Sequence, residues 1–589
     1  MDAAVLTQRT PRIFEVNEQR CNLSSIANLN FSEACLFISS TAQDALHFLG
    51  QSLQCVNCDL IEWATIAPNT TVPILVKSAS PVIFEIRNAE LSMVYKHAGT
   101  FGERGVFATK CSDDKCDSLV TVQEPDDALF AILILLVVLL GLQIFWFAFQ
   151  KFSQTNWYQM LVAKADSSNE LENDLGSPSA FIETTARTEL QHAVQKHKSR
   201  VKSLDTFRGI CITLMIFVNY GGGKYPIFEH ATWNGLTVAD ILFPSFMWIM
   251  GLSMALSMRS QLRSGVTRRQ LALTSVTRGL KLILIGLILN SSQGNNSLNT
   301  FRIPGVLQRL GVAYIVVSVI EAFRMKLQSC QQPHRLAWLQ DVADSWLQWV
   351  VVLVLVGIHT ALTFALPVPG CPTGYLGPGG IQEHGIYKNC TGGAAGYIDR
   401  IIFGSNHIYQ HPTVKKIYYT DIPYDPEGLL GHFNAILLVS LGVQAGRIML
   451  TYTNPWSRIV RWMVWGSIVG LGGAFLCNFS KESGLIPVNK NLFSLSFVLV
   501  SSSLDFFFLS LLYLIIDVKH LWSASPFYFT GMNSLLIYTL HDFTRNMLPW
   551  RWQPLGNTHA EVLFMDAWAV SLWVIISYIW FCRNFFFTV

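Results

Sequence analysis

Charge is scarce in this chain. Only 14% of its 589 residues are Asp, Glu, Lys or Arg, against 51% hydrophobic and 12% aromatic, and the mean hydropathy is +0.35. Soluble globular chains carry about a quarter charged residues, so an ordinary soluble enzyme is excluded. Several signatures are missing as well: there is no Walker loop, dinucleotide fingerprint, H-E-x-x-H or G-x-S-x-G motif. Their absence argues against an ATP-driven pump, a flavin enzyme, a zinc protease and a serine hydrolase. The opening MDAAVLTQRTPRIFEV has no apolar core of the kind a signal peptide needs. Either translation starts upstream of Met1, or the first apolar span draws the N-terminus across the membrane. The two halves of the chain also lack the similarity that inverted-repeat transporters show.

Apolar runs are what the chain has in excess. Ala128 to Phe149 reads ALFAILILLVVLLGLQIFWFAF, about the 20 residues a helix needs to cross roughly 30 Å of hydrocarbon. Further spans are expected at 205–220, 236–258, 271–290, 306–323, 347–366, 431–448, 461–478, 493–516, 526–541 and 561–582. The expected fold is therefore a membrane all-α bundle of about 11 transmembrane helices with a small N-terminal β domain. Its parts are a disulfide-containing domain at 1–127, a first helix at 128–150, a linker at 151–203, and a membrane domain at 204–589 with a long loop at 367–430.

Basic residues cluster in alternate loops. Lys151, Lys164, Arg187, Lys196 and Lys202 follow the first span, Arg259, Arg263, Arg268 and Arg269 the third, and Arg324, Lys326, Arg447, Arg458, Lys519 and Arg583 later ones. Positive loops face the cytosol, so residues 1–127 are expected to be lumenal and the C-terminus cytosolic. Asn22, Asn30, Asn69, Asn290, Asn295, Asn389 and Asn478 head N-x-S/T sequons, all in segments that the charge rule makes lumenal or places at the membrane edge. Six of the twelve cysteines, Cys21, Cys35, Cys55, Cys58, Cys111 and Cys116, precede the first span, and Cys371 and Cys390 share the long loop. Disulfides are the expected state in an oxidising compartment, including for the Cys55-x-x-Cys58 pair, which has no partner motif for a metal.

TVPILVKS and PVIFEIRN read as strands of the N-terminal domain. The polar segment 151–202 reads as a flexible linker, and within it Tyr158 to Leu161 has the Y-x-x-apolar form of an endolysosomal sorting signal. The insertion Pro367 to Leu430 is rich in Gly, Pro and aromatics; it is either a lid facing substrate or a glycosylated surface loop.

The candidate chemistry lies in the polar hairpin Phe217 to Asp240, FVNYGGGKYPIFEHATWNGLTVAD, between two spans. It puts His230, Asn219, Asn234 and Asp240 at or near a bilayer surface, where desolvating polar groups is costly. Gly221, Gly222 and Gly223 permit a tight reversal that folds His230 back toward Asn219. Histidine moves protons or acyl groups near neutral pH, and an Asn can donate a hydrogen bond to an oxyanion. A loop histidine alone is as a rule a surface residue; here Asp240, Arg278, Lys281, Gln308, Arg309, His432, Asn434, Asp505, His541 and Asp542 recur at membrane depth. Such a density implies a polar cavity, with some members serving as ion pairs that set packing. Asp205 and Arg208, three apart, pair on one helix face. A cavity with cations and a histidine suits either a transporter of an anionic or amino-sugar solute or an enzyme using a phosphate-bearing donor.

SLDTFRGICITLMIFVNYGGGKY, HATWNGLTVADILFPSFMWIMG, RIPGVLQRLGVAY and GMNSLLIYTLHD resemble successive signature blocks of the heparan-α-glucosaminide N-acetyltransferase family of lysosomal membrane enzymes and of their bacterial multi-pass relatives. The resemblance runs from about Ser203 to the end. It implies transfer of acetyl from cytosolic acetyl-CoA to the terminal glucosamine of heparan sulfate, in the lysosomal membrane, with a homodimeric protein, no metal and no nucleic-acid partner. The histidine of the family's H-A-x-W-N-G-L-T motif falls on His230 and the asparagine of V-N-Y-G-G-G on Asn219. The chain departs from the family pattern after His432, where Ala435 replaces a serine. His230 is then either a general base that frees the sugar amine or a carrier of acetyl as an acyl-imidazole, with Asn219 on the thioester oxygen in direct transfer. Arg208, Arg278, Lys281 and Arg309 are the cations expected within the bundle for CoA phosphates, with Asp240 beside them.

Overall fold

A computed structural model of the chain describes residues 13–21, 29–153, 155, 201–292, 297–326, 340–556 and 558–587. The chain divides into two units, residues 1–126 with 203–589, and residues 127–202. In the second unit, helix α1 (Ala128–Ser153) carries the first apolar run. Nearly all of the linker, with the Tyr158 motif, lies outside the described residues.

The N-terminal domain is a pair of sheets. One has the order β1-β5-β2-β8-β9 and the other β4-β3-β6-β7, from β1 (Phe14–Val16), β2 (Glu33–Ser40), β3 (Leu46–Ser52), β4 (Ile61–Ile66), β5 (Thr71–Lys77), β6 (Val82–Arg87), β7 (Met93–Gly99), β8 (Val106–Cys111) and β9 (Val120–Gln123). The expected strands TVPILVKS and PVIFEIRN are β5 and β6. β2 pairs antiparallel with β5 and parallel with β8. Period-two patterning sends one face of each sheet inward, where Phe14, Leu36, Phe48, Ile74, Phe84 and Ile86 form a common core. The disulfides are Cys21–Cys35, Cys55–Cys58, Cys111–Cys116 and, in the long loop, Cys371–Cys390.

The rest is helical: α2 (Lys202–Tyr220), α3 (Val238–Arg263), α4 (Arg268–Ser292), α5 (Val306–Arg324), α6 (Trp346–Ala365), α7 (Gly393–Ile402), α8 (Gly431–Thr451), α9 (Pro455–Leu476), α10 (Leu495–Leu512), α11 (Phe527–Met532), α12 (Ser534–Thr544) and α13 (His559–Cys582). Among the described residues, eight helices are long and apolar enough to cross a membrane: α3, α4, α5, α6, α8, α9, α10 with its π-helical continuation Tyr513–Val518, and α13. Three further spans expected from hydropathy correspond to α1, to the more charged α2, and to the pair α11 and α12. The last is a difference from the continuous span expected at 526–541. The helix breaks at Asn533, whose side chain is tied to Phe585 O and Phe587 N of the C-terminal segment at 2.9 Å each.

Glycine sets the tightest helix contacts. A Cβ on Gly251 of α3 would strike Val439 O of α8, and one on Gly442 of α8 would strike Trp248 O of α3. Small residues let helix backbones approach closely where apolar association alone gives little in lipid. The alternate connections, 221–237, 297–305, 366–430, 477–494 and 545–558, gather at the end of the bundle that carries the β domain. Examples are Gln54 with Thr232, Arg302 with Asp425, Asn57 with Glu383, Asn234 with Glu482, and Arg104 with Gly556 O.

Candidate active site

The hairpin owes its shape to local chemistry. Gly221, Gly222 and Gly223 all have positive φ, 136°, 59° and 64°, a region that side chains disfavour, so the chain reverses at once after α2. It re-enters the bundle at Thr237 and Asp240, which form a reciprocal capping box at the start of α3. Asp240 Oδ2 accepts from Ala231 N at 3.1 Å, Thr237 N at 3.2 Å and Thr237 Oγ1 at 2.9 Å. Its other oxygen faces His230 Nδ1 at 2.8 Å. The carboxylate is fully buried while the imidazole is 39% exposed.

This geometry selects a tautomer. An ionised carboxylate can only accept, so Nδ1 carries the proton and Nε2 is left with a lone pair on an accessible ring. Lys490 completes the group. Its Nζ lies 2.9 Å from His230 Nδ1, 3.3 Å from Nε2 and 3.4 Å from Asp240 Oδ1, and it is 17% exposed. With Nδ1 committed to Asp240, the acceptors open to the ammonium are Nε2 and the carboxylate. The cluster can therefore take a proton or an acyl group at Nε2 and present a positive charge beside it.

Trp233 anchors this arrangement. It packs with Cys55, Val414, Tyr418, Tyr424 and Leu492 and donates from Nε1 to Leu376 O at 2.9 Å. Four parts of the chain thus meet around one indole: the hairpin, the Cys55–Cys58 turn of the β domain, the long insertion and the segment before α10. Thr232 Oγ1 donates to Gln54 Oε1 at 2.7 Å, and Tyr418 OH to Gln54 O at 3.0 Å.

Asn219 has a different neighbour from the one expected. One N–H of its amide meets Nε2 of buried His541 at 2.9 Å, and His541 Nδ1 donates to Tyr538 O at 2.5 Å. The glycine turn instead directs Gly223 N to Asp566 Oδ2 at 2.8 Å and Gly223 O to His559 Nδ1 at 2.9 Å, and His559 Nε2 is 2.7 Å from Glu103 of the β domain.

The four cations expected inside the bundle do not converge. Arg208 bonds Asp205 at 3.2 Å and Ser253 at 2.6 Å, toward the end away from the β domain. Arg309 sits at the opposite end, 2% exposed, donating to Pro426 O and Gly428 O at 2.9 and 3.0 Å with its guanidinium 4.6 Å above the Phe493 ring. Arg278 and Lys281 are on the exposed face of α4, because the buried stripe of that helix runs through Leu271, Ser275, Leu282 and Leu289; Arg278 lies 5.2 Å over the Tyr314 ring. Of the other polar groups at membrane depth, Asp505 accepts from Ser245 at 2.5 Å, and Asn434 donates to Phe493 O at 2.9 Å. His432 donates to Gly428 O at 3.1 Å. A separate cleft at the end away from the β domain is lined by Arg259, Arg324, Lys326, Asp341, Asp344 and Arg447. In the sequence, Arg259, Arg324, Lys326 and Arg447 mark only the orientation of the loops.

Lys490 and His541 were missed as partners of the hairpin. Lys490 is 260 residues from His230 in the chain, and its only sequence signal is a lone Lys between two Asn in PVNKNLFS. Among the described residues there is no group of three or more His, Cys, Asp or Glu placed to hold a metal ion.

Under the long insertion, Arg302 pairs with Asp425 at 2.7 and 2.9 Å and with Glu427 at 2.5 Å. Asp399 accepts from Leu429 N at 2.8 Å, and burial pushes its carboxyl up to about 7 against that hydrogen bond, with Asp425 adding to the rise.

Residues 200–362, which contain Asn219, His230 and Asp240, match the family model described as heparan-alpha-glucosaminide N-acetyltransferase, catalytic. The chain is 44% identical over 506 residues to the heparan-alpha-glucosaminide N-acetyltransferase of Homo sapiens, an alignment covering 82% of this chain and 76% of that one. To the Mus musculus protein of the same description it is 40% identical over 539 residues, covering 88% and 82%.

Proposed function

The chain belongs to the heparan-alpha-glucosaminide N-acetyltransferase family and is an acyltransferase of that type, and on that premise we propose that it transfers acetyl from acetyl-CoA to the amine of a terminal α-glucosamine of heparan sulfate. The observation that carries this reading is the His230–Asp240 pair, a buried carboxylate at 2.8 Å that commits Nδ1 of an accessible imidazole and leaves Nε2, with Lys490 Nζ 3.3 Å away, as the reacting nitrogen.

As a base, Nε2 removes a proton from the sugar ammonium. The freed nitrogen attacks the thioester carbonyl, the C–N bond forms, the nitrogen gives up its second proton to solvent as the C–S bond breaks, and the departing thiolate takes the first proton back from Nε2. As a carrier, Nε2 itself attacks the thioester first and the C–S bond breaks, expelling CoA thiolate, which takes up the proton that the sugar ammonium releases; the freed amine then attacks the acyl-imidazole, loses its second proton to solvent, and the bond from acetyl to Nε2 breaks to return the imidazole. In both routes Asp240 stabilises the charge that develops on the ring, and Lys490 offers a cation to the carbonyl oxygen as it becomes negative.

The phosphates of acetyl-CoA need cationic partners. The cleft of Arg259, Arg324, Lys326 and Arg447 supports entry at the end away from the β domain, with Arg208 farther into the bundle from it. On this reading that end is cytosolic, as the basic loops require. The β domain and hairpin are lumenal, the membrane is lysosomal, and the protein is a homodimer.

The test uses purified protein in lipid nanodiscs, offered acetyl-CoA and a glucosamine conjugate. N-acetylation is expected from wild type and is expected to fall to background in His230→Ala; acetylation indifferent to that substitution would remove His230 from the chemistry. Release of CoA in a single-turnover burst without acceptor would select the carrier route, and its absence would select the base.

A further inference from the structure

A file of polar side chains runs from the His230 cluster along the connection between α9 and α10. Lys490 touches His230, and its neighbour Asn489, fully buried, donates from Nδ2 to Asn234 Oδ1 at 3.0 Å. Asn234 Nδ2 donates in turn to Glu482 Oε2 at 2.6 Å. Asn234 is four residues beyond His230 in the hairpin. The two strips are also joined by their backbones, Gly235 N to Val488 O at 2.8 Å. Gly235 is required there: it has φ +117°, and a Cβ would lie 3.1 Å from Cε of Lys481.

Glu482 is the unusual member. Its carboxylate is 32% exposed, and among the described residues the cation paired with it, Lys481, stands at 4.0 Å, too far for a strong charge-assisted hydrogen bond. One carboxylate oxygen is held by Asn234, which fixes the direction of the group, and the acceptor capacity of the carboxylate exceeds what that bond uses. An oriented acceptor pair next to an amide suits adjacent ring hydroxyls of a sugar. Its negative charge also suits a sugar that arrives as an ammonium ion.

We propose that Glu482, oriented by Asn234 and Asn489, forms the acceptor subsite that recognises the ring hydroxyls of the terminal amino sugar beside His230. The proposal rests on the acetyl-transfer reading above. It assigns specificity to a segment outside the part of the chain that matches the family model, residues 200–362. Glu482 is a binding residue in it, and Asn234 and Asn489 are positioning residues.

The test compares glucosamine conjugates with their 3-deoxy and 4-deoxy counterparts on wild type, Glu482→Gln and Glu482→Ala. Gln keeps an oxygen that accepts from Asn234, so the hairpin stays tied while the charge is lost. Wild type is expected to favour the parent sugar over at least one deoxy sugar by about tenfold in kcat/KM. Glu482→Ala is expected to erase that preference. Glu482→Gln is expected to raise KM for the sugar by about tenfold with KM for acetyl-CoA unchanged. If both variants keep the wild-type preference among the sugars, or slow all acceptors alike, the subsite is refuted and Glu482 merely braces the hairpin. Failure of wild type itself to acetylate any glucosamine would instead refute the underlying reaction.

Discussion

A histidine on an exposed hairpin has no fixed tautomer until one ring nitrogen is held, and Asp240 holds Nδ1 of His230 from full burial. Asp240→Asn replaces a pure acceptor by a group that also donates, so the ring can turn over to the wrong tautomer. kcat is expected to fall roughly a hundredfold or more, with KM for acetyl-CoA little changed, as steady-state assays in nanodiscs will read. Lys490→Met removes the cation beside Nε2 and is expected to lower kcat about tenfold or more, whereas Lys490→Arg, which keeps the charge, is expected to recover part of the rate; equal rates in both would mean that the charge is irrelevant. His230 was legible in the sequence because a polar, glycine-rich hairpin between apolar spans is anomalous. The roles of Lys490, His541 and Glu482 were not, because they depend on contacts across more than 240 residues of chain, which no local pattern encodes.

The long insertion carries a carboxyl that makes it sensitive to pH. Asp399 is buried and its carboxyl is raised to about 7, so the folded state holds a proton that the unfolded chain releases near its ordinary value of about 4. Its contribution to stability is therefore fully present below about pH 4 and is lost as pH rises through 7. The loss is of order 4 kcal/mol at most. Asp399→Asn is expected to remove this component, leaving the melting temperature flatter between pH 4 and 8 than that of wild type; an unchanged pH profile would deny the residue this part. The Cys371–Cys390 disulfide closes a 19-residue separation in the same element, and Cys371→Ser with Cys390→Ser is expected to cost about 3 kcal/mol, seen as a lower melting temperature. Element existence was largely legible: hydropathy located the eight long apolar helices to within about six residues, and β-branched runs located β5 and β6. The break at Asn533 was not, because it depends on bonds to Phe585 and Phe587 and on the close approach of Gly531 to Asp205 O of α2.

At the scale of the whole molecule, the β domain is docked onto the site rather than appended to it. Gln54 reaches Thr232 in the hairpin, Tyr418 reaches Gln54, and Glu103 reaches His559. Gln54→Ala is expected to raise KM for the sugar a few-fold and to speed proteolysis of the β domain; an unaltered KM would separate the domain from catalysis. Composition and hydropathy by themselves determined that the chain is a membrane protein, which loops lie together at one end, and which hairpin is anomalously polar between two apolar spans, since these follow from the transfer cost of each segment and need no knowledge of its neighbours. Only the tertiary structure decided which groups stand around His230 and that the four expected cations point to separate places. Helix rotation and long-range packing direct a side chain, and in this fold they turned Arg278 and Lys281 outward while bringing Lys490 against a histidine 260 residues away.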